Sequence, residues 1–554
     1  MNLKLLPLAL LAVSQHLLAQ PLPNAGSQLQ QLPTVPAPQP AAPGISVERS
    51  KPPPVRVTED AKIPINSLRI TGARAYTEAE LLALTGFIPG SELTLAELRG
   101  MAARITAHYA RNGYFVAQAY LPAQDVTDKT ITIAVREGEY GQITVRNETN
   151  LSGTIPANLL SGLNSGDAIT VAPLESRLLL LSDLPGVKVQ STLVPGATAG
   201  TSDLLVDVTP GARVSGSVDA DNAGNRYTGE YRLGATVNLN NPLGLGDVAS
   251  LRAVTSGSGL NYVIASYQLQ VGKGRAGVAY SKLHYALGEE FAPLRANGTA
   301  EIASIFGSYP LIRSRDTNLY VRVGYDAKTF QDRVDAIPSV TDKKADVLTT
   351  SLYGNHRDNL GGGGMSAYSL SWSAGKLNIQ TPAALAVDAA SARSNGSYGK
   401  LGFTVMRLQR VTDSVSLYGA LSGQLASKNL DSSEKMELGG MNGVRAYPQG
   451  EAPADQGYLA TLEARLLLPK FPQNLPGQVH LIGFVDYGSV TVNKNPWAAG
   501  NNHRTLSAAG VGLTWSEADN FLVRAYYARP LGNETATSAP DKSGRFWIQA
   551  VKYF

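Results

Sequence analysis

From Gly211 to Phe554 the chain never settles into a helical period. Segments such as Arg275–Leu283, Leu319–Tyr325, Ser414–Leu421 and Phe521–Tyr527 alternate apolar and polar residues. Clusters of Gly, Asn, Asp and Pro separate them. Alternation puts successive side chains on opposite faces, so each segment has one apolar face and one mixed face. Sustained over strands of about ten residues, this is the pattern of a transmembrane β-barrel. At roughly 20 residues per strand and connection, the segment predicts about 16 strands. Arg322, Arg465 and Arg524 lie inside such segments. They are tolerable facing a polar lumen and costly facing lipid.

The start of the chain fits an exported protein. Lys4 precedes the apolar run Leu5–Val13, and Ala19 precedes Gln20, so residues 1–19 read as a secretory signal, with Leu17 where a smaller residue is preferred. No later run approaches the roughly 18 apolar residues of a membrane helix. Charged residues make up 17% of the chain, below the roughly 25% of soluble globular domains, which favours the barrel over a soluble sandwich. A net charge of +4 over 554 residues argues against nucleic acid as a partner. There is no cysteine, and the six histidines are scattered, so no metal site is expected.

Between signal and barrel the period changes twice. Residues 20–63 are rich in Pro, Ala and Gln, with room for one short helix in Ser27–Leu32 ahead of an extended spacer. Residues 64–139 then read β-α-α-β-β: a strand at Asn66–Ala73, a capping box at Thr77–Glu80, and a helix over Thr94–Asn112. Strands follow at Tyr114–Leu121 and Lys129–Val135. Gly113 sits where a helix C-cap belongs. Residues 140–210 repeat the order, with strands at Gly141–Val145, Val187–Val194 and Ser202–Val208 and helices at Asn158–Leu163 and Ala172–Leu184. The repeated unit resembles a tandem pair of POTRA domains, and Arg111-Asn-Gly113-Tyr114 looks like their glycine-aromatic turn. The fold class expected is therefore multidomain: two α+β POTRA domains followed by an antiparallel transmembrane barrel over 211–554.

Residues 439–458 interrupt the barrel pattern. Their glycines and prolines make a loop, yet Arg445 sits between Val444 and Ala446-Tyr447, which is not linker composition. Val444-Arg445-Ala446-Tyr447-Pro-Gln-Gly450-Glu451 resembles the barrel-loop motif of two-partner secretion transporters of the haemolysin and filamentous-adhesin type (TpsB). Ala446 departs from the glycine many members carry. Phe484-Val-Asp486-Tyr-Gly488 looks like the family's partner strand, its three motif residues on one face by period two. Asp219–Thr228 and Asn241–Asp247 resemble the opening strands of such barrels. The terminal Arg545–Phe554 resembles an outer-membrane targeting strand ending on Phe554, with Lys552 in a place usually hydrophobic. The resemblance implies a loop folded into the lumen, with Arg445 donating to Asp486 and with Phe484 and Tyr447 beside the pair. Within its own loop, Glu451 and Asp455 are alternative partners for Arg445.

The same resemblance implies a bacterial outer-membrane transporter with its POTRA domains in the periplasm. Family members often carry an N-terminal helix that plugs the pore; residues 20–32 could supply only a short one, so whether a plug forms is left open. It would capture an unfolded, β-helical partner exoprotein and secrete it through the barrel. It would itself meet outer-membrane lipid and, during biogenesis, the barrel-assembly machinery. Client capture by strand addition points to the edges Val116–Leu121 and Val187–Val194. There is no Gly-x4-Gly-Lys-Ser/Thr, so no ATP drive is expected, and no Gly-x-Ser-x-Gly elbow, so no enzyme and no cofactor. Gly244-Leu-Gly-Asp-Val-Ala249 mimics a dinucleotide loop but no helix follows, so it reads as a barrel turn. The competing reading is a factor that inserts other barrels. The client class (adhesin, cytolysin, haem-binding protein or contact-dependent toxin) is not written in the chain.

Overall fold

The computed structural model describes residues 22–33, 44–47, 61–126, 128–470 and 474–554. The signal reading of residues 1–19 and most of the Pro-rich spacer lie outside the described residues.

Sixteen antiparallel strands, from Val214–Asp221 to Arg545–Tyr553, form a closed barrel in which the last strand pairs with the first. The reason lies in the alternation. On the strand Gln478–Thr491, Ile482, Phe484, Asp486, Gly488 and Val490 are buried, while Leu481, Val485 and Tyr487 are exposed. Large apolar side chains thus cover the outside, Leu462 at 68% and Val511 at 59% exposure among them. Each such side chain left in water forgoes about 1.5–3 kcal/mol of burial, a cost that lipid removes. Closure leaves no unpaired strand edge in the hydrocarbon. The arginines flagged in strands turn inward: Arg322 stacks over Phe306, Arg465 over Tyr418, and Arg524 donates to Gln549.

The first POTRA unit carries one pairing more than β-α-α-β-β. Ile63–Ile65 pairs with Ser91–Leu93, and Ser67–Thr71, Thr130–Arg136 and Gln118–Tyr120 form a separate sheet. Both helices, Glu78–Thr85 and Leu95–Arg111, open on capping boxes, Thr77 with Glu80 and Thr94 with Glu97. The expected strand Tyr114–Leu121 shrinks to Gln118–Tyr120. Gly113 at φ +91° lets the Tyr114 amide donate back to the Tyr109 carbonyl at 2.9 Å. The Tyr114 ring then packs edge-on against Tyr109, so Tyr114 closes the helix instead of entering the sheet. Arg111 is the last helical residue and is exposed.

The second unit has strands Glu139–Asn147, Val187–Pro195 and Thr201–Pro210 under helices Thr154–Leu160 and Val171–Ser182. The first helix starts four residues earlier than its sequence pattern suggests, with Pro156 in its first turn, where a missing N–H is tolerated. One of the two edges suspected of client capture is taken. Gly44–Val47 from the leader pairs in parallel with Val187–Pro195, Gly44 opposite Gln190 and Val47 opposite Leu193.

This unit sits on the turns at one end of the barrel. Ser152 N–H donates to the Gly244 carbonyl at 2.8 Å, and the Asn241 side-chain amide donates to Asn150 Oδ1 at 2.9 Å. Gly244 has φ +75° and lies against the Asn150 carbonyl, where a Cβ would clash. The dinucleotide-like stretch is therefore a barrel turn that docks POTRA 2.

The leader strand predicts its own test. Because the chain lacks cysteine, the pair Ser46→Cys and Thr192→Cys, opposite each other in register, should crosslink in high yield under mild oxidation. Ser46→Cys with Gln190→Cys, two residues out of register, should not.

Candidate functional site

The longest connection at the barrel end away from the POTRA units runs from Ala426 to Gln456 and folds into the lumen. Arg445 is its centre and is 4% exposed. Its Nε and Nη2 donate to the two carboxylate oxygens of Asp486, both at 2.8 Å, and its backbone N–H donates to Asp486 Oδ2 at 3.1 Å. Its Nη1 donates to Glu463 Oε1 at 2.9 Å. Glu463 in turn accepts from Arg465 Nε at 2.9 Å. The guanidinium lies 3.4 Å above the Phe484 ring and 4.9 Å from that of Tyr526. Two cations and two carboxylates thus neutralise one another, with Arg445, Asp486 and Glu463 buried and Arg465 at the wet margin, and each guanidinium nitrogen of Arg445 donates.

Strand register explains why these groups meet. Thr461 is opposite Asp486 and Glu463 is opposite Phe484 on neighbouring strands, all facing inward. Thr461 Oγ1 adds a hydrogen bond to Asp486 Oδ1 at 3.0 Å. Gly488 stands where Leu438 crosses the wall; a Cβ there would lie 2.7 Å from Leu438 Cδ2. Trp547 Nε1 donates to the Arg445 carbonyl at 2.6 Å, tying the loop to the last strand.

The rest of the motif serves other contacts. Val444 and Ala446 are buried, and the Val444 N–H donates to the Leu438 carbonyl at 2.7 Å. The Tyr447 ring is buried in the same apolar cluster as Phe484, and its hydroxyl donates to the Glu534 carbonyl at 3.0 Å. Glu451 is not the partner of Arg445. It accepts from the backbone and hydroxyls of Thr537 and Ser538 at 2.7–3.0 Å and pairs with Arg504 at 3.1 Å. Asp455 pairs with Lys435 at 2.9 Å. Gly450, at φ +84°, leaves room for Gln31 Nε2, which a Cβ would approach to 2.6 Å.

One further charge cluster was not legible as a site, and the short leader helix, whose role as a plug the sequence leaves open, lies in the lumen. Further around the barrel wall, Asp431 pairs with Lys343 at 2.8 Å, and Glu434 with Lys328 at 2.6 Å and Lys400 at 2.7 Å. The short helix Ala25–Gln30 also lies inside the barrel against this loop. Ala25 N–H donates to Asp332 at 2.8 Å, Thr228 Oγ1 to Gln28 at 2.8 Å, and Gln31 Nε2 to Glu437 at 2.9 Å. The inward charges Lys328, Lys343 and Lys400 at alternate positions were the available signal; their partners depend on register.

The remaining predicted positions lie elsewhere. Arg111, Gly113 and Tyr114 belong to POTRA 1, away from the loop. Phe554 lies at the barrel seam, exchanging backbone hydrogen bonds with Gly216 at 2.8 and 3.1 Å.

A closed lipid-facing barrel with POTRA units at one mouth and a loop clamped in its lumen defines an outer-membrane transporter with its POTRA domains in the periplasm. The chain belongs to the haemolysin secretion/activation protein ShlB/FhaC/HecB family, whose sequence profile matches residues 200–515, and the ShlB-type POTRA domain matches residues 63–138. It is 28% identical to the heme/hemopexin transporter protein HuxB of Haemophilus influenzae (strain 86-028NP), over 98% of this chain and 97% of that protein. The fold is shared with CdiB from Escherichia coli at a TM-score of 0.68, with 21% identity over 99% of this chain and 98% of that one. CdiB from Acinetobacter baumannii matches at a TM-score of 0.58, with 18% identity and full coverage of both chains. Like its family, the protein is a two-partner secretion transporter.

The charge cluster makes two predictions. Arg445→Ala leaves buried Asp486 without a cation and Glu463 with Arg465 alone, and breaking such a buried pair weakens the anchor by about 3–5 kcal/mol. The variant should still run as a heat-modifiable barrel, while proteinase K added to intact cells cuts residues 439–458 faster than in the parent. Exchanging Arg445 and Asp486 would set an aspartate at 445 against Glu463. Protection should therefore return only when Glu463→Gln accompanies the exchange.

Proposed function

We propose that the transporter exports one large secreted protein and rests closed, with the lumen loop and the helix Ala25–Gln30 together blocking the conduit. The observation that carries this reading is the double anchoring of the loop. Arg445 holds it to one part of the wall, and Asp431 and Glu434 hold it to other strands further around. The helix fills the space alongside, with Ala25 and Gln28 fully buried. Gly26 permits its approach: a Cβ would lie 2.7 Å from Ser432 Oγ and 2.8 Å from the Ser433 nitrogen.

In this reading the motif Val444–Glu451 and its partners Phe484, Asp486 and Gly488 position the loop during export, and the POTRA units receive the unfolded client. Of the two edges named for strand addition, Gln118–Tyr120 lies at the margin of its sheet, while Val187–Pro195 already carries the leader strand. HuxB matches nearly end to end, which favours a heme- or hemopexin-binding exoprotein as the partner. The Phe554 strand is the targeting signal read by the barrel-assembly machinery, and residues 1–19 are the export signal. Without a nucleotide site, folding of the partner outside drives passage.

Two measurements test this. Gly26→Leu should expel the helix and raise single-channel conductance in planar bilayers, without loss of barrel insertion. Unchanged conductance removes the helix from the closed state. Co-expression with a large two-partner exoprotein that binds heme or hemopexin should release that protein into the medium. Arg445→Ala should abolish that release at equal outer-membrane levels, and normal release would take the loop out of the mechanism.

A further inference from the structure

A cavity of about 780 Å³ opens where POTRA 2 meets the barrel. One side is the end of the helix Val171–Ser182 and the residues after it, Leu179 to Val187. The other side is barrel wall, including Tyr320, Tyr353 and Met365. Tyr320 is in phase with Lys328 on its strand, and Tyr353 with Lys343. Those lysines bind the lumen loop, so both tyrosines face the lumen. The cavity is therefore the periplasmic mouth of the conduit.

Its charge is one-sided. Five cations line it, Lys273, Arg275, Arg313, Arg315 and Arg357, against one carboxylate, Asp183. Asp183 is consumed by a bidentate pair with Arg313, both contacts at 2.7 Å. Glu175 pairs with Arg315. Among the described residues, Lys273, Arg275 and Arg357 have no carboxylate partner. Arg275 is turned toward neutral acceptors, Gln270 Oε1 at 3.4 Å and the Asp183 carbonyl. Burial first, and then the neighbouring Arg177, hold the Lys273 ammonium below the usual lysine value. Deeper in the wall, Arg322 lies over Phe306, 4.4 Å from the ring centroid, and no described carboxylate pairs with it. Beside these charges, Tyr320 and Tyr353 stack with centroids 5.4 Å apart and planes 15° apart.

We propose that this mouth is a binding site for an extended polypeptide segment carrying carboxylates, and that it selects the exported chain for acidic character as it passes from POTRA 2 into the barrel. The inference rests on the transporter reading and adds the chemistry of the cargo. A cleft lined by one sign of charge concentrates the opposite sign. Arginine forks match carboxylates in two-point contacts. Neighbouring tyrosines bind peptide planes and side chains at little entropic cost. Unpaired cations at the entrance suit a ligand that must arrive and leave, because exposed ion pairs are weak one at a time.

The probe is a labelled, unstructured peptide of Glu, Gly, Ser and Tyr, compared with its Gln-for-Glu counterpart, on the full chain in nanodiscs by fluorescence anisotropy. The acidic peptide should bind tighter than the neutral one, and 0.5 M salt should erase the difference at a Debye length of about 4 Å. Lys273→Gln with Arg357→Gln should weaken the acidic peptide by roughly three- to thirtyfold, as expected for two partly exposed pairs. Lys273→Glu with Arg357→Glu should reverse the preference toward a Lys-containing peptide, which a misfolded variant would not do. Equal binding of both peptides, or no effect of either double substitution, overturns the proposal. Export of the cognate partner by the same variants separates the two readings. Export that persists without charge preference leaves the transporter standing and removes the selective mouth.

Discussion

A charged loop can stay inside a membrane barrel only if its charge is cancelled where it lands. Here Arg445 meets two carboxylates, Asp486 and Glu463, and Glu463 shares its second oxygen with Arg465. Such a cluster is weak evidence for net stability, because desolvating four ions offsets most of their attraction. Its value is specificity. An arginine displaced from this seat leaves two buried carboxylates short of a partner, so displaced positions of the loop cost more than the seated one. The aromatic floor of Phe484 and Tyr526 and the Trp547 bond to the Arg445 carbonyl narrow the seat further.

The other contacts of the loop follow from that seat. With Arg445 held on the wall of Gln456–Leu467 and Gln478–Thr491, the entering limb reaches across to lysines on three other strands, and Glu451 is delivered to the connection holding Thr537 and Ser538. The leader makes use of both ends of the molecule. Its helix Ala25–Gln30 lies in the lumen and its strand Gly44–Val47 on the edge of POTRA 2. A segment that joins lumen and periplasmic sheet in this way makes the two regions mechanically neighbours. The basic mouth lies between them, where POTRA 2 meets the inner wall.

Much of this is readable in the sequence alone, and particular residues show why. Phe484, Asp486 and Gly488 fall on one face because strand period is two, whatever the partner strand. Thr77 with Glu80 and Thr94 with Glu97 mark helix starts through hydrogen bonds three residues long. Where the reading went astray, a longer-range contact intervened. Tyr114 has strand propensity but leaves the sheet for the tyrosine cluster around Tyr109. Val187–Pro195 looks like a free edge until a leader strand lying more than a hundred residues upstream is laid against it. Glu463 is, in the sequence, one charge in an alternating strand, and nothing local distinguishes it from a lumen residue facing water.

The sequence by itself determined the period of each segment, the caps and turns, the faces each strand offers, and hence a lipid-facing barrel behind two small mixed domains. These are properties of a few consecutive residues, set by backbone geometry and by the solvent each face requires. The tertiary structure decided which faces meet. Arg445 finds Asp486 across 41 residues and Trp547 across 102, because barrel closure and strand register bring those positions together. Register is a collective property of all sixteen strands, so no local stretch of the chain encodes it.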